Sequence, residues 1–142
     1  MGSKGKIPMI DVTLGFAADA QGQGVAYARL RAKGRERLER VPFAVRRYPA
    51  LLDREIAYGA ATAVAKRLGD MGVKRVRLRV GDERLVSDLR EHPDLPLPLS
   101  IEYVRLGCAL NRFAEYCFEP DADGTADLEG RARAEVALHI AA

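Results

Sequence analysis

Tryptophan is absent from this sequence, and histidine and cysteine occur only twice each. Each scarcity closes off a class of function. With only His92 and His139, neither a histidine-based acid–base relay nor a zinc site has enough ligands to work with. Cys108 and Cys117 show no metal-type spacing and belong to no larger cysteine framework, so they read as reduced, small apolar residues. No apolar run approaches the roughly 20 residues needed to cross a bilayer, so no membrane partner is expected. The opening MGSKGKIPM lacks the apolar stretch of a secretory signal, and residues 1–6 read as a disordered or tag-derived N-terminus. The expected compartment is the cytoplasm.

What is present is ordinary for one globular domain: 142 residues, 48% hydrophobic and 30% charged. A net charge of +3 permits nucleic-acid binding without arguing for it. Arginine greatly outnumbers lysine, which fits either bidentate phosphate recognition or a compositional bias.

Alternation and punctuation divide the chain. Residues 7–16 (IPMIDVTLGF) read as a central strand, and 17–24 (AADAQGQG) as a glycine-rich loop. Residues 25–32 and 36–45 read as two more strands around Lys33-Gly34, completing an antiparallel meander. The hairpin from Arg29 to Arg47 is strongly basic, either a phosphate-binding ribbon or an edge protected by charge. After a break at Tyr48-Pro49, residues 51–71 carry Ile56, Ala60, Val64 and Leu68 at helical spacing, with Gly72 as the stop. RVRLRV, 75–80, is a fourth strand, followed by a short helix to about Arg90. HPDLPLPLS reads as a stiff connector, 100–106 as a fifth strand, and 111–118 as the start of a helix. The acidic stretch 119–129 reads as a loop, a poor match to a calcium site because its glycine falls too early, and 131–140 as a last helix. The expected order is β-β-β-α-β-α-β-α: an α/β mixed sheet flanked by helices, with strands four and five parallel to strand one.

Four acids sit where solvation alone does not explain them. Asp11 interrupts the first apolar strand, Glu55 lies in the first turn of the long helix, Asp82 ends strand four, and Glu115 lies among Phe113, Ala114 and Tyr116. If strands one and four are neighbours, these carboxylates converge, and a cluster of that kind calls for divalent cations with hard oxygen ligands. Two such ions activate water against a phosphodiester. Each acid also has a plain reading. Asp82 serves equally as a helix cap, and Glu55 and Glu115 as first-turn acids complementing a helix dipole.

Asp11-Val12-Thr13 with the following QGQGVAYARL, Glu55 opening a helix, GDERLVSDL, and Asn111-Arg-Phe-Ala-Glu115 together resemble the ribonuclease H type I family, in its branch related to reverse-transcriptase ribonuclease H domains. The resemblance spans about residues 7–118, with 119–142 expected as an acidic loop and C-terminal helix of the same domain. It implies a ribonuclease H-like five-stranded sheet of order 3-2-1-4-5 and metal-dependent hydrolysis of the RNA strand in RNA–DNA hybrids. Asp11, Glu55, Asp82 and Glu115 would then be the catalytic ligands of two Mg2+ or Mn2+ ions. Thr13, Gln21 and Gln23 would face the sugars, and Arg54 and Arg112 the phosphates or the neighbouring acids. The sequence departs from the family pattern: the usual Asp-Gly-Ser is Asp-Val-Thr, the strand-four Asp-Ser is Asp-Glu, and the loop before the last helix has no histidine. A catalytically inactive nucleic-acid-binding or protein-interaction module, or a nuclease for another substrate, therefore stands beside the hybrid-cutting reading. A homodimer is also left open.

Overall fold

The structure, a computed structural model, describes residues 7–45, 52–91 and 94–141. Residues 1–6, the Tyr48-Pro49 break and His92 lie outside that set. The described chain runs β1 (Ile10–Ala18), β2 (Gln23–Ala32), β3 (Arg35–Ala44), α1 (Leu52–Asp70), β4 (Arg75–Val80), α2 (Glu83–Glu91), α3 (Leu97–Leu110), β5 (Glu115–Pro120) and α4 (Ala122–Ala141). The strands form one sheet in the order β3-β2-β1-β4-β5. The first three are antiparallel, while β4 and β5 are parallel to β1.

Local chemistry explains the early elements. Lys33 (φ 51°) and Gly34 (φ 75°) both take positive φ, the two-residue hairpin geometry whose twist matches the flanking strands. The β1–β2 turn is organised by Asp19, whose carboxylate accepts the backbone N–H groups of Gln21 and Gln23 at 2.8 and 3.0 Å. Helix α1 ends in a paired cap: the Val73 N–H donates to the Leu68 carbonyl and the Gly72 N–H to that of Gly69, each at 3.1 Å, with Gly72 at φ 85°.

Beyond β4 and α2 the sequence reading needs correction. Residues 100–106 are not a strand; they lie inside α3, which starts within the supposed connector. Pro98 is tolerated because first-turn N–H groups have no helical partner to lose. Leu99, Leu106, Ala109 and Leu110 supply the buried face at helical spacing. Residues 115–120 form strand β5 rather than a helix, held by parallel pairing to β4 from Arg75↔Glu115 to Val80↔Pro120. The acidic stretch is no loop: Asp121 caps α4, accepting the Gly124 N–H at 2.9 Å.

The sheet has two unlike faces. Val12, Leu14, Ala26, Ala28, Val76, Leu78 and Val80 bury themselves under α1 and α3 in the main core. On the other face α4 crosses β1 and β2, packing Leu128 and Ala132 against Val25 and Tyr27. Arg131 stacks 4.7 Å from the centroid of the Tyr27 ring, and Glu135 accepts hydrogen bonds from Tyr27 and Arg40. Among the described residues no helix is long and apolar enough to cross a membrane.

Two tests follow from the packing. A Cβ at Gly15 would sit 2.4 Å from the Glu129 backbone nitrogen and 2.6 Å from Leu128. Backbone cannot swing aside as a flexible side chain does, so Gly15→Ala should lower stability by about 1–3 kcal/mol or more in urea unfolding. Tyr58, 1% exposed, donates to the Asp88 carboxylate at 2.7 Å, and Arg54 meets the same oxygen at 2.6 Å. Burial first, then the bond to Asp88, push the Tyr58 hydroxyl well above its ordinary value of 10.0. The unfolded chain therefore ionises Tyr58 where the folded one does not, and stability falls as pH rises past about 10. Tyr58→Phe should cost about 1.5–3 kcal/mol near neutrality and show a shallower decline in that alkaline range.

Candidate functional site

Parallel β4 on one side of β1 and antiparallel β2 on the other make the carboxyl ends of β1 and β4 a topological switch point, where open α/β sheets usually bind ligands. A cavity of about 450 Å³ lies there, lined in part by Gly15, Gly81, Asp53, Asp82, Glu129 and Arg133. Its floor is built by the strand register. The last β1–β4 pair is Leu14↔Val80, so Gly15 and Gly81 are the next positions along the two strands. Both abut α4: a Cβ at Gly81 would lie 2.8 Å from the Thr125 hydroxyl, and Thr125 is fully buried. The helix therefore fills the space that side chains on these strand ends would need.

The walls carry the charge. Asp82, just past β4, caps α2, accepting the Leu85 N–H at 3.0 Å. Glu129 meets Arg133 one helical turn later at 3.4 Å. Asp53 lies in the first turn of α1. Asp53, Glu129 and Arg133 were not singled out from sequence. Asp53 stands two residues before Glu55 in LLDREI, and Glu129 falls in the stretch that reads as a loop.

The four acids expected to converge do not. Asp11 pairs in register with Arg77, and Asp82 lies five residues further along the same strand path, about 16 Å at the usual strand rise. Asp11 instead sits on the sheet face that α4 leaves open, 3.4 Å from Arg77 and 3.6 Å from Arg79. Contact with the Cys117 thiol, then the charges of Asp11 and Glu119, hold Arg77 still more firmly protonated. Glu55 is 1% exposed inside the fold and does not line the cavity. Glu115 opens β5 rather than a helix, at the opposite end of the β4–β5 pair from Asp82, and pairs with Arg75 at 2.8 Å.

The remaining candidates are likewise dispersed. Thr13 is buried on β1 between Arg29 and Arg79 in register. Gln21 and Gln23 serve the Asp19 turn through their backbones. Arg54 is held by Asp88 and Arg112 by Asp70 (2.8 Å).

Solved ribonuclease H structures share this fold. Ribonuclease H1 from the halophilic archaeon Halobacterium salinarum NRC-1 superposes with a TM-score of 0.71 at 18% identity, over 92% of this chain and 98% of that one. The N-terminal ribonuclease H domain of Rv2228c from Mycobacterium tuberculosis gives 0.65 at 14% identity, over 94% and 99%. LC11 ribonuclease H1, solved in complex with an RNA/DNA hybrid, gives 0.61 at 12% identity, over 90% and 99%. No protein-family model matches the chain, and no curated protein matches it in sequence. The chain thus has the ribonuclease H type I-like fold, with the strand order 3-2-1-4-5 expected from sequence.

The residues present do not fit the pair of divalent ions that the resemblance implies. Gly15 and Gly81 offer no carboxylate, one oxygen of the adjacent Asp82 is engaged in capping, and Arg133 sits on Glu129. Among the described residues no group of three or more His, Cys, Asp or Glu is arranged to hold a metal. Asp82→Ala should therefore behave as the loss of a cap, costing about 1 kcal/mol in urea unfolding. Millimolar Mg2+ should leave the melting temperature of parent and variant unchanged.

Proposed function

We propose that this chain is a ribonuclease H-like module that binds nucleic acid without cutting it. The observation that carries the reading is the pair Gly15 and Gly81: the strand ends where ligating carboxylates would converge carry no side chain, and α4 occupies the space. Binding is supported by likeness to LC11 ribonuclease H1, whose structure holds an RNA/DNA hybrid, and the cationic excess of three is compatible with it. Most arginines near the open face already have acidic partners, so few are free for phosphates and affinity should be modest. A metal-dependent hydrolase of RNA–DNA hybrids is the second reading, favoured by one feature: Asp53, Asp82 and Glu129 line a single cavity.

The test is a labelled RNA–DNA hybrid incubated with the protein and Mg2+ or Mn2+, with duplex DNA and duplex RNA in parallel. Expected is a shifted but intact hybrid. Its affinity should drop roughly tenfold between about 50 and 200 mM salt, as two or so phosphate contacts require. Cleavage abolished by Asp82→Asn and Glu129→Gln would establish the hydrolase instead. Neither binding nor cleavage would leave the fold serving contacts with other proteins.

A further inference from the structure

The charges left without partners are not scattered over the molecule. Among the described residues, Lys33, Arg35, Lys66, Lys74 and Arg84 are the exposed cations that meet no acid, carbonyl or ring. Of these, only Arg84, in the first turn of α2, stands at the crevice end of the sheet. Lys33 lies in the β2–β3 turn, Arg35 opens β3 and Lys74 directly precedes β4, all at the opposite end, and Lys66 is one turn from the end of α1 on that side. The acids segregate the other way. Around the crevice, Asp53, Glu83 and Asp123 meet no cation among the described residues, and the carboxylates of Asp19, Asp82 and Asp121 accept only backbone N–H groups. β1, nine residues long, sets the two ends about 30 Å apart. That is several times the Debye length of about 8 Å at physiological salt, so each end acts on a polyanion by itself.

The far end is also shaped. A concavity of about 350 Å³ at the hairpin tip is lined in part by Met9, Asp11, Arg31, Lys33, Arg35 and Glu36. Its two acids are already shared: Asp11 lies between Arg77 and Arg79, and Glu36 between Arg29 and Arg31. Lys33 and Arg35 are therefore uncompensated there. Asp11 is in register with both Arg31 and Arg77, and the same register carried two residues back sets Met9 between Lys33 and Arg75, the neighbour of Lys74. At the usual strand spacing, the row from Arg35 on β3 to Lys74 before β4 spans about 14 Å. Over that length a duplex presents about four phosphates per strand.

We infer that nucleic acid docks on this end of the sheet, away from the crevice, with its phosphates on Lys33, Arg35 and Lys74. The inference rests on the nucleic-acid-binding reading above and names its site. It also divides the basic hairpin in two: Arg29, Arg31, Arg37 and Arg40 along its body are consumed in ion pairs, and the tip is free. At the crevice a phosphate backbone would meet unneutralised carboxylates instead.

The test is binding of a labelled RNA–DNA hybrid by the full chain, read by fluorescence anisotropy from about 50 to 200 mM salt without divalent ions. Lys33→Gln combined with Lys74→Gln should weaken binding about tenfold at the lower salt and reduce the slope of log affinity against log salt by nearly two. Arg35→Gln combined with Lys74→Gln, which spares the turn residue, should repeat the loss. Arg84→Gln should leave the slope unchanged and the affinity within about twofold. Double variants that bind as tightly as the parent, with the same salt slope, overturn this inference and leave the reading it rests on standing. An Arg84→Gln loss as large as theirs does the same. A parent chain that binds no hybrid at any salt overturns that reading, and this site with it.

Discussion

The close approach of α4 to the sheet at Gly15 and Gly81 constrains nearly everything else on that side of the molecule. A helix seated with its backbone 2.4 Å from a would-be Cβ tolerates only glycine there, and Leu128 and Ala132 then reach Val25 and Tyr27 without a gap. Polar ties hold the helix down along its length: Arg29 to Asp127, and Tyr27 and Arg40 to Glu135. The seating also decides the chemistry of the crevice, since the strand ends under the helix contribute shape but no functional group. A fold shared with nucleases is here combined with a switch point whose floor is bare backbone.

The other half of the same face shows what the sheet does where no helix covers it. One row across the strands reads Glu36, Arg31, Asp11, Arg77 and Cys117; the next reads Leu38, Arg29, Thr13, Arg79 and Glu119. Opposite charges on adjacent strands satisfy one another, and the aspartate near the start of a central strand needs no metal to justify it. Arginine is well suited to this, because its planar fork reaches two acids while its stem covers the apolar floor. The alternating arginines of β4 are thus the solvent side of a strand whose other side, Val76, Leu78 and Val80, is core.

The sequence was most legible where local pattern and tertiary role agree. Alternation in β4, the Lys33-Gly34 turn and the Gly72 stop each specify their element, and the strand order follows from the family resemblance. Legibility failed where they diverge. IEYVRL has a strand's composition but lies in a helix, because Leu99, Leu106 and Leu110 must reach the core together. EYCFEP becomes a strand because β4 offers it a parallel edge. The candidate site misled for a related reason: Asp11 is conspicuous, yet the sequence does not say how far along β1 the mouth of the crevice lies. Register settles that, and the residue actually there, Gly15, is informative only once α4 is known to press on it.

The order in which the chain is made gives the α4 contact a temporal side. The strands it covers end at Ala32, and the helix starts at Ala122, roughly ninety residues later. The hairpins and α1 are local and can assemble as they emerge from the ribosome, but through that interval Val25 and Tyr27 face water with nothing over them. A nascent chain stalled before α4 would present a half-covered sheet, the sort of surface chaperones recognise. The same helix that blanks out the crevice is therefore also the last closure of the fold, and folding quality and site architecture rest on one late event.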